Sequence, residues 1–237
     1  MENPNVYPLK YAELTIQSKE GKILEAGCGA GRILRYYKDR GYDITGFDFI
    51  EGTVEKLKKI DPDLKVEVGD VTDLKYADKS FRYVLAFGLY HNLEHDLGRA
   101  LQETYRVLET GGKVCASFRA DNIQTRLTDW LAACRGRRES KTNIKRFHKM
   151  GLTKTEFVNM VERAGFHIES VCAVENMPIL YKLRFFRAKH HRIFDETLAR
   201  KEGYRLSPSG SMFQGFLIKY LPEQICNLFV VIAKRPI

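Results

Sequence analysis

A run of glycines beside an acidic residue is the part of the chain best suited to chemistry. Residues 25–32 read Glu-Ala-Gly-Cys-Gly-Ala-Gly-Arg, with glycines at alternate positions from Gly27 to Gly31. Glycine lets a backbone turn tightly and approach a ligand closely. A second acid, Asp48, lies 21 residues beyond Gly27, where a carboxylate can accept hydrogen bonds from both hydroxyls of a ribose. The spacing predicts a site for a nucleoside-containing cofactor.

The residues around the glycines distinguish between two kinds of cofactor. A dinucleotide site expects G-x-G-x-x-G, because the following helix holds a pyrophosphate at its N-terminus. This chain has Arg32 where the third glycine would stand, and Glu25 would face a pyrophosphate unfavourably. S-adenosylmethionine has no phosphate and carries an ammonium and a sulfonium group, which suit a neighbouring acid. The loop therefore favours S-adenosylmethionine.

Short apolar runs alternate with helical patterns around these residues, which predicts a parallel sheet with crossover helices. The predicted strands are Lys22–Ala26, Tyr42–Asp48, Leu64–Gly69, Ser80–Phe87 and Lys113–Phe118, and the predicted helices are Arg32–Arg40, Thr53–Lys59 and Leu97–Leu108. Gly111 and Gly112 are predicted to end the third of these helices. The glycine loop would then lie at the carboxyl edge of the sheet, where ligands bind in open α/β folds.

The second half of the chain is less regular. The predicted elements are the helices Asp121–Cys134 and Thr153–Ala164, a basic loop at 135–149, and the strands Phe166–Val174 and Asn227–Lys234. Residues 119–150 and 175–225 exceed what a simple sheet needs, so we expect substrate-side insertions there, the second a lid between the last two strands. Residues 181–192 mix aromatic and basic side chains, which suits RNA, an anionic lipid surface, an acidic small molecule, or an ordinary helix with a solvated basic face.

The charge of the chain is concentrated in this second half. The net charge is +9, yet residues 1–120 carry 18 Lys and Arg against 19 Asp and Glu. Such a surface attracts anionic partners, although it also fits a basic surface without a specific ligand. The five cysteines form no CxxC pair and no cluster has metal-ligand spacing, so free thiols and no metal are expected. Without a signal peptide or a long apolar run, the expected location is cytoplasmic.

Five segments resemble, in order, the motifs of class I S-adenosylmethionine-dependent methyltransferases. They are ILEAGCGAGR at 23–32, GFDF at 46–49, VGDVTDL at 68–74, SFRYVLAFGLYHNLEH at 80–95 and ETYRVLETGGKV at 103–114. Arg82 replaces a usual Asp of the fourth motif, and a weaker match covers 152–166. The resemblance implies one α/β domain over residues 1–237, with a seven-stranded Rossmann-like sheet of order 3-2-1-4-5-7-6, helices on both faces and an antiparallel last strand.

The resemblance also assigns residues to the methionine end of S-adenosylmethionine. Glu25 would contact the ammonium group, directly or through water, and the Phe87 carbonyl would accept a hydrogen bond from it. The residues that would line the methionine part are Gly27, Cys28, Gly29 and Gly31.

The same resemblance assigns the nucleoside end. Asp48 would hold the ribose, and Phe49 would lie against the adenine. Asp70 would accept a hydrogen bond from the adenine amino group, and the Val71 backbone N–H would donate to a ring nitrogen. Taken alone, the residues leave open a turn role for Asp70 and a core role for Phe49 and Phe87.

The best candidate for a catalytic base is His91, directly after the fourth predicted strand, although it could instead pack or cap a helix. A sulfonium is already activated, so a base is needed only if the acceptor must lose a proton early. The expected activity is methyl transfer (EC 2.1.1.-) to oxygen or nitrogen of a small or medium-sized metabolite, with an anionic acceptor among the options. The alternatives are an RNA- or protein-directed methyltransferase and a non-catalytic S-adenosylmethionine-binding protein. Nucleic acid is not favoured, because the chain reads FGLYHN after the fourth strand, without the Asn/Asp-Pro-Pro-aromatic motif of amino-methylating enzymes.

Overall fold

Seven strands form a mixed sheet in the computed structural model, which describes residues 7–136, 150–175, 177–188 and 204–237. The strands are β1 Ile23–Ala26, β2 Ile44–Asp48, β3 Val66–Val68, β4 Phe81–Ala86, β5 Leu108–Arg119, β6 His167–Val174 and β7 Leu228–Lys234. Their order is β3-β2-β1-β4-β5-β7-β6. Strands β1 to β5 are parallel, and β7 is antiparallel to β5 and β6. The predicted fold class and strand order are confirmed.

Helices cover both faces of this sheet. They are α1 Tyr7–Thr15, α2 Arg32–Lys38, α3 Glu51–Ile60, α4 Leu97–Val107, α5 Ile123–Gly136, α6 Lys154–Arg163 and α7 Pro208–Tyr220. Alternate strand residues point to opposite faces. Val84 thus joins a core cluster that includes residues of α4 and α6, whereas Leu85 joins one with residues of α1, α2 and α3. Burial on both faces explains why the strands read as continuous apolar runs.

The junction between α4 and β5 differs from the prediction. Gly111 and Gly112 do not end the helix; they lie inside β5, which begins at Leu108. The last carbonyls of α4 are satisfied from elsewhere, because Arg235 donates to the carbonyls of Tyr105 and Arg106. The Gly111 N–H donates to the Arg235 carbonyl, so the glycines belong to the pairing of β5 with the end of the chain.

Two helices, α1 and α7, were absent from the sequence prediction. Helix α1 packs beside β5 through Leu9 and Ala12, which are buried. Helix α7 lies in the segment 175–225 between β6 and β7. The position of that segment follows from the register, because Val174 of β6 and Arg119 of β5 both pair with Leu228 of β7. The segment therefore leaves and re-enters the sheet at the carboxyl edge of β5. Residues 137–149 of the predicted basic loop and 189–192 of the aromatic-basic run lie outside the described residues.

Candidate functional site

The glycine loop connects β1 to α2 at the carboxyl edge of the sheet. Gly27, Gly29 and Gly31 have φ values of 69°, 50° and 65°, a region that side chains with a Cβ avoid. A Cβ at Gly31 would lie 2.7 Å from a Leu57 methyl, whereas one at Gly29 would meet nothing within 4 Å. The loop is thus tightly packed against the protein at one glycine and open at another.

Cys28 builds this loop through its backbone. Its N–H donates to the Phe47 carbonyl at 2.9 Å, and its own carbonyl accepts from the Gly31 N–H at 2.9 Å. The side chain is buried in the cluster beneath α2 and α3. A cofactor would therefore contact the backbone of Cys28 and not its side chain.

Asp48, at the end of β2, lies directly beside the loop. Its Oδ2 accepts a hydrogen bond from the Gly29 N–H at 2.8 Å, and its Oδ1 accepts one from the Ile50 N–H at 3.0 Å. Both bonds fix the carboxylate in one orientation at the edge where β1 and β2 end. The structure brings Asp48 and the glycines together, as the spacing predicts.

Glu25 is a buried acid one strand away. It lies on β1 opposite Gly46 of β2 and Leu85 of β4, and its Oε2 has no hydrogen-bond partner among the described residues. Burial raises the pKa of its carboxyl from 4.5 to about 8, although the Leu34 backbone N–H and Arg32 act in the opposite direction. A buried carboxylate oxygen without a donor is unusual, and a cationic ligand would supply the missing partner.

Three predicted nucleoside contacts follow β2 and β3. Phe49 is 74% exposed, so the alternative core role is wrong for it and the ring is accessible to a ligand. Asp70 is also exposed, and its Oδ1 accepts from the backbone N–H and the hydroxyl of Thr72. This turn role leaves its second carboxylate oxygen available to a ligand. Val71 is buried beside it, so only its backbone could reach an adenine.

An ionic network on α4 holds the segment that follows Asp70. Arg106 donates to the carbonyls of Leu74 and Tyr76, each at 2.8 Å. It also forms ion pairs with Asp78 and Glu103. Glu103 in turn accepts from the Leu74 N–H at 2.9 Å. The sequence prediction missed this support, because both residues resemble ordinary exposed helix residues.

The predicted contact Phe87, just after β4, has a neighbour that the sequence prediction also missed. Its ring meets the Tyr7 ring of α1 edge-on, with centroids 6.0 Å apart. The Tyr7 hydroxyl lies 3.5 Å from the Ser117 hydroxyl, and Ser117 accepts from the Gly88 N–H at 2.9 Å. Helix α1 is thereby packed over the carboxyl ends of β4 and β5. The signal for this helix was the spacing of Leu9, Ala12 and Ile16.

His91 lies in a short 3-10 helix, Tyr90–Asn92, after β4. The side chain is buried, with its ring edge-on to Phe118 of β5 and centroids 6.0 Å apart. Its carbonyl accepts from the Met150 N–H at 2.9 Å. The residue is therefore at the predicted edge of the sheet and also contributes to packing there.

Charged side chains at the end of β5 are largely paired. Arg119 donates to both carboxylate oxygens of Asp129, and Arg126 forms a two-point pair with Asp121. The Asn122 side chain accepts from the Thr125 N–H, which caps α5, and donates to the carbonyls of Glu223 and Cys226. Helix α5 is thus attached to the end of the 175–225 segment.

Neither metal binding nor a membrane span has support in the ranges described. No group of three or more His, Cys, Asp and Glu side chains is arranged there for a metal ion. Among the same residues, no helix combines the length and apolar character needed to cross a bilayer.

Part of the chain is similar in sequence to known methyltransferases. Residues 24–116 match the family model described as a methyltransferase domain. The demethylmenaquinone methyltransferase of Paenarthrobacter aurescens is 36% identical over 99 residues, which cover 41% of this chain and 38% of that protein. A protein of Mycolicibacterium smegmatis named as a probable S-adenosylmethionine-dependent methyltransferase is 28% identical over 164 residues, 69% of this chain and 59% of its own.

A solved structure extends the similarity to the remainder of the fold. The S-adenosylmethionine-dependent methyltransferase from Methanosarcina mazei superposes with a TM-score of 0.63 at 17% identity, covering 96% of this chain and 97% of its own. The chain thus spans between 38% and 59% of the two curated relatives, and the segment 24–116 matched by the family model contains the glycine loop, Asp48 and Asp70. The solved structure shows the fold, and the family model with its named relatives supports S-adenosylmethionine as the cofactor.

Proposed function

We propose that this chain, a class I S-adenosylmethionine-dependent methyltransferase, transfers the methyl group to an oxygen or nitrogen atom of a small or medium-sized metabolite. The observation that carries the proposal is the position of two acidic side chains at the glycine loop. Glu25 offers a buried oxygen without a partner, and Asp48 offers a fixed carboxylate beside Gly29.

The residues present fit the two ends of S-adenosylmethionine. The ammonium group would pair with Glu25, whose carboxyl is costly to ionise without a cation nearby. The ribose hydroxyls would donate to Asp48, and the adenine would contact the exposed ring of Phe49. A Cβ at Gly29 would meet no protein atom within 4 Å. The glycine therefore leaves room at this position for the methionine part.

The protein contributes alignment and exclusion of water to the reaction. When bound, S-adenosylmethionine supplies a methyl group that its sulfonium already activates. Glu25 and Asp48 would hold its two ends, while the contacting rings of Tyr7 and Phe87 lie beside the ends of β4 and β5. We propose His91 as the group that accepts a proton from the acceptor, because it lies in the short 3-10 helix after β4 at this edge.

The acceptor side is proposed to be the edge between α5 and the 175–225 segment. Ile123, Leu127 and Trp130 are exposed on α5 at helical spacing, which offers an apolar surface. The guanidinium groups of Arg119 and Arg126 are already paired with aspartates. This arrangement supports an acceptor with a substantial apolar part over a purely anionic one.

Calorimetric titration followed by a transfer assay tests the proposal. S-adenosylmethionine and its demethylated product should bind, and NAD, the control, should not. Methyl transfer from labelled S-adenosylmethionine is then measured against a panel of hydroxylated and amino metabolites that differ in apolar character. Binding without transfer to any member, at protein concentrations that saturate the cofactor, would favour the non-catalytic alternative.

The RNA-directed alternative makes a different prediction. Phosphate contacts release counterions, so RNA affinity would fall steeply as salt rises. Methylation of a small acceptor with an apolar part would depend little on salt over the same range. Transfer to RNA in the same assay, with this steep salt dependence, would replace the metabolite in the proposal.

A further inference from the structure

The outer face of α7 carries an apolar stripe that no part of the proposed reaction uses. Met212, Phe216 and Tyr220 follow one another at four-residue spacing, which places them on one side of the helix. They are 76%, 56% and 61% exposed. Three large apolar side chains in a row on an exposed helix face usually mark an interaction surface.

Aromatic rings extend this stripe onto the turn before it. Phe213 of α7 meets Phe186, with ring centroids 6.2 Å apart, and Phe186 meets Phe185 at 5.2 Å. Phe185 is 84% exposed. We use the name cap patch for Phe185, Met212, Phe213, Phe216 and Tyr220. It combines residues from two separate parts of the insertion, which the Phe186 ring connects.

The opposite face of α7 is firmly attached to the protein, so the exposure of the cap patch follows from the fold. Gln214 is buried, donates to the Glu175 carboxylate and accepts from the Leu180 N–H. Gly210 approaches the turn at Phe186 so closely that a Cβ would lie 2.8 Å from its carbonyl oxygen. The hydrogen bonds of Gln214 and the close approach of Gly210 hold one side of α7 against the protein. The apolar residues on the other side therefore stay exposed.

Basic residues outnumber acidic ones in the described segments that carry the cap patch. Among residues 177–188 and 204–225, the basic residues are Lys182, Arg184, Arg187, Arg205 and Lys219, and the acidic residue is Glu223. Arg184 directly precedes Phe185, and Lys219 lies between Phe216 and Tyr220, with both cations exposed. Aromatic side chains with flanking cations match the interface of a bilayer that contains anionic lipid.

We propose that the cap patch is a docking surface for an anionic lipid bilayer, on which the protein lies peripherally. Its aromatic side chains enter the headgroup region while Arg184 and Lys219 meet lipid phosphates. The 175–225 segment leaves the sheet at the carboxyl edge of β5, so the docking surface belongs to the same insertion as the proposed acceptor edge. The docking itself requires neither cofactor nor methyl transfer, so it is tested separately from the proposed function.

Vesicle co-sedimentation tests the docking. The full chain is mixed with phosphatidylcholine vesicles, with and without phosphatidylglycerol, in the absence of S-adenosylmethionine. We expect binding to the anionic vesicles that weakens with salt, and weak binding to the neutral ones. Phe185→Ser and Phe216→Ser should each lower partitioning roughly tenfold, since each removes an aromatic group that docking would bury in the bilayer. Lys219→Gln should lower it less and reduce its dependence on salt.

A matched control separates the cap patch from exposed apolar residues in general. Ile60 is 63% exposed at the end of α3, on the far edge of the sheet, and Ile60→Ser should leave partitioning unchanged. Thermal unfolding confirms that each variant folds. Equal binding of Phe216→Ser and the unaltered chain overturns the proposal, as does equal binding to both kinds of vesicle. So does a dimer that Phe216→Ser converts to a monomer without any vesicle binding, since the patch would then join two copies.

Discussion

The Asp48 carboxylate accepts a hydrogen bond from the Gly29 N–H at 2.8 Å and so joins the end of β2 to the glycine loop after β1. Its other oxygen accepts from the Ile50 N–H. An ionised carboxylate offers about four acceptor sites, so two remain for the hydroxyls of a ribose. One side chain thus shapes the glycine loop and, in the proposed function, also holds the ribose of the cofactor.

Asp48→Ala should weaken binding of S-adenosylmethionine by about 1.5–3 kcal/mol, because charge-assisted hydrogen bonds to the ribose are lost. Asp48→Asn should cost less, since its amide oxygen can still accept from one of the two backbone N–H groups. Calorimetric titration of both variants with S-adenosylmethionine measures the two losses of affinity. Asp43→Ala, which removes an exposed ion pair with Lys65, is the control. Equal affinities for all variants and the unaltered chain would remove Asp48 from the site.

Gly29→Ala should lower affinity for S-adenosylmethionine at least tenfold. The added methyl meets no protein atom within 4 Å and would occupy the proposed cofactor space. Gly41→Ala is a matched control, because Gly41 also has a positive φ of 74° and open space around it, far from the loop. Both variants should lose roughly 1–2 kcal/mol of unfolding free energy from the left-handed backbone. Similar cofactor affinities for the two variants would contradict the placement.

The strands of the sheet were predictable because each is marked by a short apolar run and by nearby glycines in the local sequence. The positions of Glu25 and Asp48 beside the glycine loop could be predicted for the same reason, because a strand end, a loop and the next strand end follow one another at short spacing. The end of α4 could not be found in this way. Its carbonyls are satisfied by Arg235, which is far along the chain, and a local glycine rule therefore misplaced the boundary.

The parts of the site that escaped prediction depend on contacts between distant segments. Tyr7 reaches Phe87 and Ser117 only because α1 packs across β5. Arg106 supports the segment after Asp70 through backbone carbonyls, whose positions no residue type reveals. The surface of α7 was missed because a helix with apolar residues on its exposed side lacks the amphipathic pattern that predicts helices.

Arg106→Ala should lower the unfolding free energy by about 2–3 kcal/mol, since it removes charge-assisted hydrogen bonds and leaves the carbonyls of Leu74 and Tyr76 without donors. Affinity for S-adenosylmethionine should fall as well, because the segment after Asp70 loses its support. Arg99→Ala, on the same helix, removes an exposed 3.9 Å ion pair with Asp73 and should change stability by less than about 0.5 kcal/mol. Chemical denaturation gives both values. Equal effects of the two substitutions would show that the network does not hold the segment.

The buried Glu25 should make stability depend on pH. Burial raises the pKa of its carboxyl from 4.5 to about 8 in the folded protein. The folded state therefore keeps this proton where the unfolded state has lost it, and the contribution of Glu25 to stability falls as pH rises from 4.5 through 8. Glu25→Gln should flatten that part of the profile. Denaturation at several pH values checks this, and parallel profiles for the two proteins would contradict it.

Cofactor binding should remove that proton. A cation beside Glu25 lowers its pKa, so S-adenosylmethionine should release close to one proton on binding at about pH 6.5, where its own α-amino group stays protonated. Titrations in buffers of different ionisation enthalpy measure the number released. Glu25→Gln should release none and bind more weakly. Equal proton release by both proteins would separate Glu25 from the ammonium group.

His91→Ala should lower kcat by about 10²–10⁴-fold if His91 accepts the proton of the acceptor, while affinity for S-adenosylmethionine changes little. The acid limb of the pH–rate profile should disappear with it, which a packing residue would not cause. His95→Ala is the control, because His95 lies four residues further on and is exposed. Some stability should be lost in His91→Ala, since the ring packs against Phe118. Full turnover with an unaltered pH profile and reduced stability would assign His91 to packing alone, and the acceptor would then lose its proton to water or need to lose none.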